Sequence, residues 1–174
     1  MLKDSRGFTL IETMIVIVVV GILAVFAVPN IVNTVEGIRT NATAQKMLAD
    51  IRHIRELAMS RRATHGILVD QANNTYSLFV IQNGANVTIT DPHRQTPMVY
   101  DLDAQPESAG VTIGAVDLCE DVGCPTPSLL FDSFGRPLDS ANTFLTGPAT
   151  VALQGGGTLR TVRVAQETAF SEVI

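Results

Sequence analysis

The chain's most unusual reactive group is one carboxylate in a long apolar run. Glu12 lies near the start of residues 8–28, an otherwise uncharged stretch, and the next acidic residue is Glu36. The run is entered through Arg6-Gly7-Phe8-Thr9-Leu10-Ile11-Glu12, where a short polar leader meets a bulky hydrophobic residue at the Gly7–Phe8 junction. As a helix at ~1.5 Å per residue, residues 8–28 would cover ~31 Å, about one bilayer hydrocarbon core. A carboxylate at the centre of a membrane helix costs on the order of 3 kcal/mol, so Glu12 needs a partner or a purpose. The chemistry open to it is pairing with an amine. The plainer use, reaching back to the interface, suits a short acidic side chain poorly.

No other constellation points to catalysis. There is no phosphate-cradling glycine loop followed by lysine and no nucleophile elbow. Ser133 and the three histidines, His53, His65 and His93, have no spacing that makes a triad or a metal site. Gly155-Gly156-Gly157 precedes a β-type segment, so it lacks the helix dipole an anion site uses, and a turn accounts for it. Neither enzyme activity nor a cofactor nor a metal is expected. Cys119 and Cys124 enclose four residues, wider than a redox Cys-x-x-Cys; in an oxidising compartment the pair reads as a disulfide pinning a loop. The arginines 52, 55, 61 and 62 read most simply as a solvated helix face.

These residues must be positioned by two kinds of element. Pro29 and Gly37 suggest a bend or soft point after the apolar run, and Asn33-Thr34-Val35-Glu36 is a possible capping box at which the helix restarts. From residue 38 to about 62, Ala44, Met47, Leu48, Ile51, Ile54, Leu57 and Ala58 recur at three- and four-residue spacing, the stripe of a helix packed on one side. Beyond Thr64 the texture is β-rich. Hairpins are expected around residues 70–74, at Asn83-Gly84 and around 154–157. Strands are expected near 66–69, 75–81, 87–90, 98–102, 111–113, 150–153 and 158–164, and residues 128–137 read as a strand ending in a turn. Gly135 and Pro137 are expected to end the strand that contains Phe131.

At 174 residues the chain has material for a core beyond the apolar run, and 46% of it is hydrophobic. A net charge of −5 and a pI near 5.1 argue against a generally nucleic-acid-binding surface. Lys3 and Arg6 outweigh Asp4 on the short N-terminal side, which orients that end toward the cytoplasm and exports the rest. An ordinary secretion signal cut near Val25-Phe26-Ala27 has the same orientation, but Glu12 would interrupt its apolar region.

The N-terminal pattern resembles the class III signal of type IV pilins and type II secretion pseudopilins. Gly-Arg-Pro at 135–137 after a hydrophobic strand resembles the GspH/FimT/FimU group of minor pilins and pseudopilins. The resemblance implies an α+β lollipop: a leader (1–7), a transmembrane and filament-core helix (8–28), an amphipathic half (29–63) and a β-rich periplasmic head (64–174). It implies cleavage by prepilin peptidase between Gly7 and Phe8, N-methylation of Phe8, and pairing of Glu12 with a neighbouring subunit's N-terminal amine to set assembly register. The implied partners are that peptidase, other pilins or pseudopilins, an inner-membrane assembly platform and membrane lipid. The implied role is a minor subunit that primes or caps a pilus or pseudopilus. An alternative comes from FimT-type pilins, whose Gly-Arg-x-Arg pattern is associated with DNA. Here Leu159-Arg160-Thr161-Val162-Arg163 departs from it. On a regular strand Arg160 and Arg163 face opposite ways, with Arg136 a third candidate contact.

Overall fold

The computed structural model describes residues 8–92, 94–118, 127–166 and 170–174, with backbone alone over 26–31. Gly7, His93, Cys119 and Cys124 lie outside the described residues, and so does the expected disulfide.

One helix, α1 (Leu10–Arg61), accounts for 52 residues. Thr9 caps its start in an extended conformation, its hydroxyl accepting from the Glu12 N–H at 3.3 Å. Arg62 ends it in the left-handed region, at φ 49°, with its N–H bonded to the Ala58 carbonyl. The expected restart near Asn33 does not occur, because the helix runs through Pro29, Asn33 and Gly37 unbroken. Tertiary contact, not local capping, decides that segment: Gly37 lies against Thr158, and Glu36 against Gly110.

The head has two antiparallel sheets. The first orders β3 (Ala85–Thr88), β2 (Thr75–Gln82), β1 (His65–Asp70), β6 (Ser128–Phe131) and β7 (Pro137–Leu138), with β4 (Val99–Asp101) also on β2. The second orders β10 (Ser171–Val173), β9 (Thr158–Val164), β8 (Ala149–Gly155) and β5 (Thr112–Asp117). Pro137 opens β7 instead of terminating the preceding strand. As the first residue of a two-residue edge strand, its missing N–H costs nothing.

The helix stripe and both sheets share one core. Ala44, Met47, Ile54 and Ala58 from α1 are fully buried with Ile67, Leu78, Leu129, Leu153 and Val162. Burying an aliphatic side chain of this size stabilises the fold by about 1.5–3 kcal/mol. The stripe read from spacing is therefore the face that holds the head to the helix.

Asn74 locks the two sheets together. It sits at φ 51°, and its buried amide donates to the Asp103 carboxylate (2.8 Å) and the Val111 carbonyl (2.9 Å), while its oxygen accepts from the Ile113 N–H (2.8 Å). The end of the β1–β2 hairpin is thereby tied to β5 of the other sheet. The β8–β9 turn lies directly on the helix. A Cβ at Gly156 would come within 2.5 Å of the Asn33 carbonyl and 2.6 Å of the Glu36 Cβ. Thr40 completes the joint, its hydroxyl bonding the Glu36 carbonyl at 2.8 Å and reaching the Gly155 carbonyl at 3.3 Å.

Candidate functional site

The functional surface starts where the head stops. From Leu10 to Val25 the apolar side chains of α1 stand 49–80% exposed all around the helix. A packed helix hides one stripe, whereas this one hides none. Twelve large aliphatic or methionine side chains lie in that span, so burying them would release on the order of 10–20 kcal/mol. An apolar surface that large marks a binding or membrane-contact region. Among the described residues no helix is long and apolar enough to cross a membrane. The described side chains of the apolar run stop at Val25, and in the sequence the run continues to Val28.

Glu12 sits in the first turn of α1, exposed and, among the described residues, without an ion pair. The helix N-terminus favours a carboxylate there, because the first N–H groups are unpaired and carry partial positive charge. Phe8, one turn earlier, is 85% exposed. The geometry thus places an exposed acid in the first turn of an apolar rod, where an incoming amine could meet it.

The arginines of α1 are not a plain solvated face. Arg52 donates to the Ser171 hydroxyl (3.2 Å) and carbonyl (2.7 Å), and Arg55 to the Gly135 carbonyl (3.1 Å). Arg39 does the same for the Ala109 carbonyl at 3.2 Å. These guanidinium groups clamp two loops and the start of β10 to the helix. Spacing alone missed this because their acceptors are backbone carbonyls far away in sequence.

The three arginines considered for DNA are not brought together. Arg160 turns to the helix, its Nε 3.4 Å from the Asn41 amide oxygen. Arg163 lies on the other face of β9, beside Glu172 at 3.7 Å. Arg136 belongs to the β6–β7 turn of the other sheet, bound to Asp132 at 2.6 Å. Burial alone would raise the Asp132 pKa, but the Arg136 backbone and guanidinium bonds outweigh it and hold the carboxyl below its usual range. Strand alternation separates the first pair and topology isolates the third, so the DNA reading is dropped.

Two polar groups inside the head were not foreseen as structural. Tyr76 is buried and donates to the Asp50 carboxylate at 2.8 Å, with Lys46 on the same oxygen at 3.2 Å. Burial and the Asp50 charge push the phenol pKa far up. His65 is fully buried, its Nδ1 2.8 Å from the Ala63 carbonyl and its Nε2 without a partner. Burial lowers its pKa, and the nearby Arg61 charge acts the same way. Among the described residues no group of acids, histidines and cysteines could hold a metal.

Residues 2–28 match the family described as the prokaryotic N-terminal methylation motif. The type II secretion system core protein G of Klebsiella michiganensis is 47% identical over 49 residues, 28% of this chain and 32% of that protein. That of Escherichia coli K12 is 48% identical over 47 residues, 27% and 30% respectively. The match thus spans about a third of those relatives' length. The head has a different likeness. The minor pseudopilin EpsH of the Vibrio cholerae type II secretion system superposes with a TM-score of 0.58 at 14% identity, over 79% of this chain and 94% of that one. A second structure of the same pseudopilin gives 0.55 over 78% and 96%.

The N-terminal segment thus carries the methylation motif, and the helix with its two-sheet head has the fold of the EpsH structure.

Proposed function

We propose that this chain is a minor pilin-type subunit that primes or caps a filament of the type IV pilus or type II secretion kind. The observation that carries the reading is the exposed apolar half of α1 with Glu12 at its entrance. Such a rod has two stable surroundings, lipid and other rods like it, so one helix serves first as anchor and then as filament core. Residues 1–7 act as the leader, 8–28 as the anchor, 29–63 as the helix half that carries the head, and 64–174 as a periplasmic domain. Prepilin peptidase cuts between Gly7 and Phe8, and Phe8 is N-methylated. The partners are other pilins or pseudopilins, the inner-membrane assembly platform and lipid. A Cys119–Cys124 disulfide would pin the loop before β6 in the oxidising periplasm.

Glu12 sets register. In an apolar filament core an unpaired carboxylate is costly, and the N-terminal amine of a neighbouring subunit relieves it at one axial offset only. The test is incorporation. Glu12→Ala is expected to leave processing intact and to remove the subunit from sheared filaments. Normal amounts of the variant in filaments would defeat the register argument. A bulky side chain at Gly7 is expected to block processing itself.

A further inference from the structure

We infer that the cavity beside α1 is a docking pocket for an aromatic side chain that a different protein carries next to a basic residue. The packed half of α1 and the head supply every group involved, so the pocket does not depend on the filament reading.

The cavity lies between α1 and the loop after β4. It encloses about 130 Å³, is walled mainly by Ala42, Thr43, Tyr76, Tyr100 and Leu102, and opens to solvent beside the exposed Ala42 and Glu107. A dry apolar cavity of about 150 Å³ accepts a benzene ring, so this one is of single-ring size. Its walls are fixed. Tyr76 and Tyr100 stack at 4.8 Å, Asp50 holds the Tyr76 hydroxyl, and Ser108 pins the loop by donating to the Leu102 carbonyl at 2.8 Å. A preformed site costs an incoming ring little reorganisation.

Two charged side chains stand on the wall, and they differ in what they have left to offer. Lys46 has three N–H groups and three neighbours: the Asp50 carboxylate at 3.2 Å, the Tyr76 hydroxyl at 3.4 Å and the Tyr100 ring, whose centre is 3.2 Å away. An incoming anion finds no free donor there. Glu107 is the opposite case. It is exposed at the mouth and, among the described residues, forms no hydrogen bond or ion pair. A cation is what its carboxylate still accepts. The guest is therefore an apolar ring with a positive charge beside it.

The carrier of that ring is a polypeptide of another protein. A free guest of about nine non-hydrogen atoms makes too few contacts to bind tightly, whereas a polypeptide adds contacts around the mouth. A second copy suits the site poorly. Residues 64–174 carry 4 basic and 12 acidic side chains, so two heads repel each other while a basic partner is drawn in.

The chain has two tyrosines and no tryptophan, and both tyrosines wall the cavity. Intrinsic fluorescence of the full chain in mild detergent therefore reports this site. Three probes share one ring and differ in charge: phenethylamine, phenethyl alcohol and hydrocinnamate. The amine is expected to bind about threefold more tightly than the alcohol, and the acid about threefold more weakly, the size of one exposed charge contact. Glu107→Gln should erase the gap between amine and alcohol and leave the alcohol's own affinity unchanged. Ala42→Phe, at an exposed helix position, places a ring over the mouth and should weaken all three by about tenfold or more. The blocked peptide Lys-Phe-Lys should bind more tightly than phenethylamine, and Lys-Ala-Lys and Glu-Phe-Glu more weakly than Lys-Phe-Lys by about tenfold or more. No response to any probe, tightest binding by hydrocinnamate, a gap that survives Glu107→Gln, or a response untouched by Ala42→Phe overturns the proposal. So does binding of phenethylamine without binding of Lys-Phe-Lys, which makes the cavity a small-molecule site. A dimer of the chain that Ala42→Phe disperses puts a second copy in the cavity and overturns it as well. The filament reading survives each of these results, because the mature N-terminus and incorporation into filaments test it separately.

Discussion

Replacing Asn74 by alanine is the sharpest test of how the head is joined. The amide is buried and makes three hydrogen bonds of 2.8–2.9 Å, two of them to backbone groups of Val111 and Ile113. Alanine leaves that carbonyl and that N–H buried without partners, each costing about 1–3 kcal/mol. The left-handed backbone at φ 51° adds about 1 kcal/mol, because alanine tolerates it less well than asparagine. The whole comes to ~3–7 kcal/mol, which for a chain of this size lowers the melting temperature by roughly 6–28 °C. Thermal and urea unfolding of the full chain in mild detergent, followed by near-ultraviolet circular dichroism of the tyrosines, reads it directly. Asn74→Gly separates the contributions, since glycine accepts the backbone angle and loses only the bonds. A loss below about 0.5 kcal/mol for Asn74→Ala would refute the reasoning, because surface substitutions without such bonds stay in that range.

Other outcomes follow from the same contacts. Gly156→Ala should cost more than Gly157→Ala in urea unfolding, by about 2 kcal/mol. Both have positive φ, but only Gly156 has the helix backbone where its Cβ would go. His65 is neutral and buried in the fold, with its pKa below the ordinary 6.5. Below pH 6.5 the unfolded chain binds a proton that the folded one does not, so stability should fall as pH drops from 6.5 toward the folded pKa. His65→Leu should flatten that slope in urea titrations at pH 7.5 and 5.5. Arg52→Ala and Arg55→Ala should each cost about 1–2 kcal/mol and raise proteolytic cleavage near Ser171 and Gly135, whereas a solvated arginine would cost almost nothing.

Much of this is legible in the sequence. The three- and four-residue spacing of Ala44, Met47, Ile51, Ile54 and Ala58 named the buried helix face, because burial obeys the helix period. The hairpin turns at 70–74, 83–84 and 154–157 were readable from their turn residues, and period two already separated Arg160 from Arg163. What the sequence hid is long-range. Gly156 reads as a turn residue, and nothing nearby says that Asn33 and Glu36 press on it. Arg52 and Arg55 read as solvated because a backbone carbonyl acceptor has no sequence signature. The strands β7 and β10, two and three residues long, are too short to carry a period. Glu12 stood out for the opposite reason: a charge amid sixteen or more apolar neighbours is visible without any fold.

The central claim is that one apolar helix, with its acid at the entrance, is processed for assembly. Intact-mass and N-terminal peptide analysis of the chain purified from membranes tests it most directly. The account requires a mature protein that begins at Phe8 with a methylated amine. A chain that begins at Met1, or one cut after the apolar run at Val28, would contradict it.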